Sequence, residues 1–142
     1  MASPAMGILD DILQALRACG AFVTVVVGGS LSDCDVPRAC LLYDGCEPLA
    51  SDDDASARWG RLRLTVVVRT RSLDVIAGVR RADSLCHAAA DALLADPYRG
   101  GRCEDLPAGR ATEVGRWQLS RTVKRPEIEM SFDVRCHFQE AQ

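Results

Sequence analysis

The apolar and polar positions change period several times along the chain, and each change marks an element. Ile8, Leu9, Ile12, Leu13 and Leu16 recur at helical spacing, with Asp10, Asp11, Gln14 and Arg17 on the other side. Ser3-Pro4 is an opening signal, and Gly20 stands where a C′ glycine closes such a helix. Phe22 to Val27 is short and β-branched, which predicts a buried strand ended by Gly28-Gly29-Ser30. From 31 to 57 the pattern weakens. Val36-Pro37 favours extended backbone, Arg38 to Tyr43 fits a second strand, and Asp44-Gly45 is a turn signal. Asp52, Asp53 and Asp54 lie in a polar run without periodicity, which predicts a flexible acidic loop at 50–58.

Regularity returns at Trp59. Leu62, Leu64, Val66 and Val68 alternate with Arg61, Arg63, Thr65, Val67 and Arg69, so a strand to Arg71 has one apolar and one basic face. A helix follows from Asp74 to Ala95, capped by Ser72 or Asp74 and stopped by Pro97. Its predicted buried stripe is Val75, Ile76, Val79, Leu85, Cys86, Ala89, Leu93 and Leu94. Residues 98–110 form a Gly/Pro-rich crossing segment. Thr112 to Val123, with Trp117 and Leu119, fits another strand, and Lys124-Arg125-Pro126 a turn. The last strand is the most regular: Ile128, Met130, Phe132, Val134, Cys136 and Phe138 alternate with Glu127, Glu129, Ser131, Asp133, Arg135 and His137. The order α-β-β-β-α-β-β predicts an α+β fold, mainly an antiparallel sheet with two helices packed on one face.

With 142 residues, 48% of them hydrophobic, the chain suits a single domain over 1–142 that buries roughly 70% of its unfolded surface. No apolar run approaches the roughly 20 residues of a membrane helix, and Met1 to Gly7 carries no basic residue of the kind that begins a secretory signal. A soluble, intracellular domain is the expectation. The net charge of −3 hides an asymmetry. Residues 1–57 carry nine acids against Arg17 and Arg38, a balance of −7; residues 58–142 carry fifteen bases against eleven acids, a balance of +4.

Chemistry is sparse. The seven cysteines are odd in number, and Cys34, Cys40 and Cys46 lack a C-x-x-C knuckle. Cys86-His87 and Cys136-His137 are adjacent pairs whose members point apart, so neither chelates readily. Cys19, Cys40, Cys86 and Cys136 read as small core residues. Gly28-Gly29-Ser30 lacks a phosphate-loop pattern, no G-x-S-x-G occurs, and Asp52 to Asp54 lacks the glycine and glutamate of a calcium loop. The expectation is no enzyme, no cofactor and no metal.

Two readings of the charge remain. Seven arginines against Asp74 between Arg58 and Arg81 could neutralise phosphates, as in a small nucleic-acid-binding module. Against that stand the acidic total and an aromatic content of 5%. Alternatively, opposite charges at the two ends of the chain suit head-to-tail association into a ring.

The second reading meets a resemblance. The short N-terminal helix, the strand Gly60 to Val68, the helix end Ala92-Leu93-Leu94-Ala95-Asp96-Pro97, the stretch Tyr98-Arg99-Gly100-Gly101-Arg102-Cys103-Glu104-Asp105-Leu106 and a final strand pair together resemble the tail terminator, or tail completion, proteins of long-tailed bacteriophages. The likeness runs from about Ile8 to Phe138, with 31–57 matching loosely through Val36-Pro37-Arg38-Ala39. It implies a structural virion protein, assembled in the host cytoplasm. Such a protein forms a ring, commonly a hexamer, on the head-proximal end of the tail tube. The ring stops tube growth and meets the head-side connector, and DNA passes through without sequence-specific binding. A head-completion or stopper protein of the same joint is the alternative. On this reading Arg61, Arg63, Arg69, Arg71, Lys124 and Arg125 form a subunit or partner interface, and Asp52, Asp53 and Asp54 line the channel or stay flexible.

Overall fold

A computed structural model of the chain describes residues 3–28, 36–49, 59–107, 109–121 and 126–139. Helix α1 spans Pro4–Ala18. Ser3 caps it by accepting from the Met6 amide at 3.3 Å, and Pro4 sits in the first turn, where a missing N–H costs nothing. Gly20 follows the Cys19 C-cap with φ +77°, as the closing position demands. Strands β1 (Thr24–Val27), β2 (Arg38–Leu49) and β3 (Trp59–Arg71) come next, then α2 (Val75–Leu94), β4 (Thr112–Val114), β5 (Gln118–Leu119) and β6 (Glu127–Gln139).

Among the described residues the strands form one six-stranded sheet in the order β1-β2-β3-β6-β4, with β5 also paired to β6. The expected α+β architecture is present, and four departures from the sequence expectation have physical reasons. First, β1 runs parallel to β2, with Thr24 opposite Arg38, whereas short connections favour antiparallel neighbours. The stretch 28–37 can span about 33 Å, ample to return along a strand of roughly 13 Å. Second, Asp44-Gly45 does not end a strand. It forms a bulge between Tyr43 and Gly45, so β2 continues to Leu49. Third, the strand expected over 112–123 is broken in two, because after Gly115 the chain leaves the ladder at Arg116 and Trp117, and Trp117 turns inward onto Phe132, ring centroids 5.3 Å apart.

The fourth departure concerns α2. Leu85, Cys86, Ala89 and Leu93 are buried as expected, but Ile76 and Leu94 are exposed, and Gly78, Ala82 and Ala90 lie inward instead. Small residues on that stripe let the helix seat closely against Ile128 of β6. One core joins the inward stripes of α1 and α2 to Leu62, Leu64, Val66 and Val68 of β3 and Ile128 to Phe138 of β6. Cys40, Cys86, Cys103 and Cys136 are buried in the fold, whereas Cys19, read as core, is half-buried and donates to the Leu16 carbonyl at 3.1 Å.

Asp74 is the α2 cap: its carboxylate accepts from the Ile76 and Ala77 amides at 3.0 and 3.4 Å. Asp74→Ala is expected to cost about 1 kcal/mol, lowering Tm by roughly 4 °C in a thermal melt.

Candidate functional site

The helices cover one face of the sheet. Its other face is where β3 and β6 present their polar alternation, and the antiparallel register pairs those residues directly: Arg61 with His137, Arg63 with Arg135, Thr65 with Asp133, Arg69 with Glu129 and Arg71 with Glu127. The four arginines expected to share a face do so. The face they make is not a bare basic stripe, however, because β2, β4 and β6 supply carboxylates to it. Arg69 Nη2 donates to Glu129 Oε1 at 2.8 Å and its Nε lies 3.8 Å from Glu127 Oε2. Arg71 Nε donates to Glu127 Oε1 at 2.7 Å. Arg61 Nη1 donates to Glu47 Oε1 at 3.3 Å, and the same oxygen lies 3.9 Å from Arg63 Nη1. Arg135 Nη2 lies 3.5 Å from Glu113 Oε2. The more exposed pairs, Arg63 with Glu47 and Arg135 with Glu113, contribute about 0–1 kcal/mol each, whereas Arg69 and Glu129 are mostly shielded from solvent; together the ladder favours this strand register.

His137 was expected on the polar side of the last strand. It is there, yet it is buried beneath the segment leading into β4. Its Nδ1 donates to the Arg110 carbonyl at 2.7 Å and its Nε2 accepts from Arg61 Nε at 3.0 Å, an arrangement that fixes the Nδ1–H tautomer. His87, by contrast, is exposed on α2, with its ring edge-on to Trp117 at 4.9 Å and Nε2 3.6 Å from Asp83. The two histidines are therefore not brought together.

At the centre of the face lies a cleft of about 390 Å³ lined by Asp44, Arg63, Leu64, Gly115, Asp133, Val134 and Arg135. The β2 bulge forms one wall, because it projects Asp44 to accept from the Thr65 hydroxyl; Asp133 Oδ1 is 3.3 Å from the same hydroxyl. The broken β4–β5 edge forms the other, held by the Gly115 amide donating to the Asp133 carbonyl at 2.8 Å. Arg135, Asp133, Glu47 and Glu113 were not singled out from sequence. For Arg135 and Asp133 the signal was present in the alternation of the last strand, but only its register against β3 brings them to this cleft; Glu47 and Glu113 come from β2 and β4 and pair with the arginines of the same face. Lys124, Arg125, Asp52, Asp53 and Asp54 lie outside the described residues.

No three His, Cys, Asp or Glu side chains among the described residues converge on a point that could hold a metal ion, and no described helix is long and apolar enough to cross a membrane. The thiols follow their surroundings. Burial, reinforced by Asp83, pushes the Cys86 thiol up to about 12, and hydrogen bonding to Cys136 together with burial raises Cys103. Asp105 accepts from the Tyr98 hydroxyl at 2.9 Å and holds that phenol above its ordinary range. Since alkylation needs the reagent to reach the sulfur, iodoacetamide at pH 8 is expected to modify exposed Cys46 and spare the buried Cys40, Cys86, Cys103 and Cys136 until the protein unfolds. Peptide mass mapping reads the order directly.

The fold has a counterpart. A chain in the virion of a native gene transfer agent particle superposes with a TM-score of 0.55 at 18% identity, over 90% of this chain and 91% of that one. The two share a fold from end to end. A second likeness, to the type 4 fimbrial biogenesis protein PilO from Pseudomonas aeruginosa, has a TM-score of 0.37 at 10% identity, over 95% of this chain and 68% of that one. No family model and no curated protein matches the chain.

Proposed function

We propose that this chain is a structural virion protein rather than an enzyme, working as a ring at the head-proximal end of a tail tube. There it stops tube growth and meets the head-side connector. The observation that carries the virion reading is the end-to-end likeness to a gene transfer agent virion chain, which matches nearly all of both chains rather than one shared motif. The finer placement at the tail end rests on the sequence resemblance through Asp96-Pro97, Gly100-Gly101 and the following Cys103 to Leu106. The polar sheet face supports a protein-docking role, since arginine–carboxylate ladders suit a charged protein surface better than a polyphosphate. A nucleic-acid-binding module fits less well, because the arginines that would meet phosphates already hold the chain's own carboxylates.

Removing the chain from a particle-producing host and imaging the lysate by negative-stain electron microscopy tests this. Overlong tails, or heads and tails left unjoined, are the expected result. Joined particles with tails of normal length would overturn the proposal.

A further inference from the structure

The sheet brings together two thiols that are far apart in the chain. Cys136 lies in β6, between β3 and β4, and Cys103 lies in the irregular segment after α2. Both backbone groups of His137 turn toward that segment. Its N–H donates to the Ala111 carbonyl at 2.9 Å, and its carbonyl accepts from the Glu104 amide at 3.0 Å. Those two bonds set Cys103 beside Cys136, and both side chains enter the core, 1% and 0% exposed. Cys19 and Cys40 give their S–H to backbone carbonyls, whereas Cys103 gives its S–H to the sulfur of Cys136.

The surroundings of the pair are more polar than packing cysteines need. Thr112 Oγ1 lies 3.9 Å from Cys136 Sγ, and the positive charge of Arg99 acts on both sulfurs. The hydrogen bond from Cys103, aided by Thr112 and Arg99, holds the Cys136 thiol below its ordinary range against the effect of burial. One thiol is thus disposed to ionise while its neighbour keeps its proton, the arrangement of an attacking and a resolving cysteine.

We infer that Cys103 and Cys136 are a redox site, which a peroxide closes to a disulfide that locks the segment after α2 onto β6. The inference goes beyond the tail-end reading and does not depend on it. A peroxide is little larger than water, so it can reach sulfurs that a bulkier alkylating amide does not. The Cys136 sulfur attacks one peroxide oxygen, the O–O bond breaks, and the departing hydroxide takes up the proton that Cys136 gave up. Cys136 is left as a sulfenic acid. The Cys103 sulfur then attacks the Cys136 sulfur, the S–OH bond breaks, and the hydroxide leaves as water with the Cys103 proton. Two thiols have lost two electrons, and the peroxide has become two waters. The sulfurs must close to about 2.0 Å. Cys136 is fixed between two strands, so that movement falls on Cys103, which lies outside any helix or strand. The Cys103 amide donates to the Tyr98 carbonyl at 2.9 Å, and this carries the restraint back to the turn that follows α2.

Peptide mapping without reductant, on folded full-length protein treated with hydrogen peroxide at room temperature, tests the site. A linked pair of peptides carrying Cys103 and Cys136 is the expected result. Oxidation should raise the Tm of wild type by about 10 °C, from the length of loop the link closes, and dithiothreitol should remove the rise. Cys103→Ala treated alike should show no such rise. Its sulfenic acid has no thiol to resolve it, so Cys136 should carry added oxygen instead. Should that variant fail to fold, the mapping and the dithiothreitol reversal on wild type still decide. Wild type in which Cys103 and Cys136 both stay as thiols, or pair with other cysteines, overturns the inference. A link between them that leaves Tm unchanged or lowers it overturns it equally, because the segment would then not be locked.

Discussion

Replacing Arg99 with alanine is expected to destabilise the fold by about 3–4 kcal/mol. The reason is where the guanidinium lies. Arg99 belongs to the segment after α2, is almost fully buried, and turns back onto the end of the helix it has just left. Its Nη2 donates to the Leu93 carbonyl at 2.7 Å and the Ala92 carbonyl at 3.4 Å, and its Nε donates to the Asp96 carbonyl at 2.7 Å. Nη1 meets Asp11 of α1 at 3.2 Å. One side chain thus satisfies carbonyls that a helix C-terminus leaves without partners, favours the negative end of the helix dipole, and ties α1 to α2. Its backbone accepts φ +48°, an uncommon conformation for a residue other than glycine, to aim the side chain inward. Alanine would take the guanidinium donors from the Leu93 and Ala92 carbonyls, leave the Asp96 carbonyl only the backbone amide of residue 99, and leave Asp11 without its partner. Urea unfolding should show the loss as a lower midpoint with an unchanged slope. Arg99→Lys should recover only part of it, because a single ammonium cannot reach three carbonyls and a carboxylate together. A loss under 1 kcal/mol for the alanine variant would contradict this account of the helix end.

Gly60→Ala is the second large effect, expected at about 2–3 kcal/mol. Gly60 and Phe138 are direct cross-strand partners on the core side of β3 and β6, and the Phe138 ring lies across the glycine. A Cβ at position 60 would stand 2.5 Å from Phe138 Cζ and 2.8 Å from Cε2, closer than atoms pack. Phe138 is 1% exposed, so its ring has no free volume to swing into without displacing other core residues. The two positions should therefore be coupled. Phe138→Leu alone leaves a cavity, but combined with Gly60→Ala it is expected to cost less than the sum of the single changes. Additive losses in a double-mutant cycle would show that the ring is not what excludes a side chain at Gly60.

Much of the fold was legible because its longest elements carry clean periods. The alternation from Trp59 to Arg71 and that of Ile128 to Phe138 identify β3 and β6, the central pair of the sheet, and the spacing of Ile8, Ile12 and Leu16 with Ser3 and Gly20 bounds α1 nearly to the residue. What escaped depends on pairing rather than on pattern. Nothing local distinguishes a parallel β1 from an antiparallel one, and a bulge at Asp44-Gly45 uses the same residues as a turn. The site shows the same division. Arg61, Arg63, Arg69 and Arg71 could be placed on one face from period two alone, whereas their carboxylates come from other strands and become visible only with register. The Arg63–Arg135 mismatch is a property of that register, and the burial of His137 comes from a segment 27 residues earlier folding over it. Arg99 gave no sequence signal as a helix-end donor, because its role depends on a backbone turn that brings it back to Leu93.

The place proposed for this chain in a particle is the junction between tail tube and head. Gold labelling of an affinity tag on the chain, in purified particles viewed by electron microscopy, addresses that place directly. Label confined to a single position at the head–tail junction is the predicted result. Label distributed along the tail, label on the capsid shell, or purified particles that carry no chain at all would contradict it.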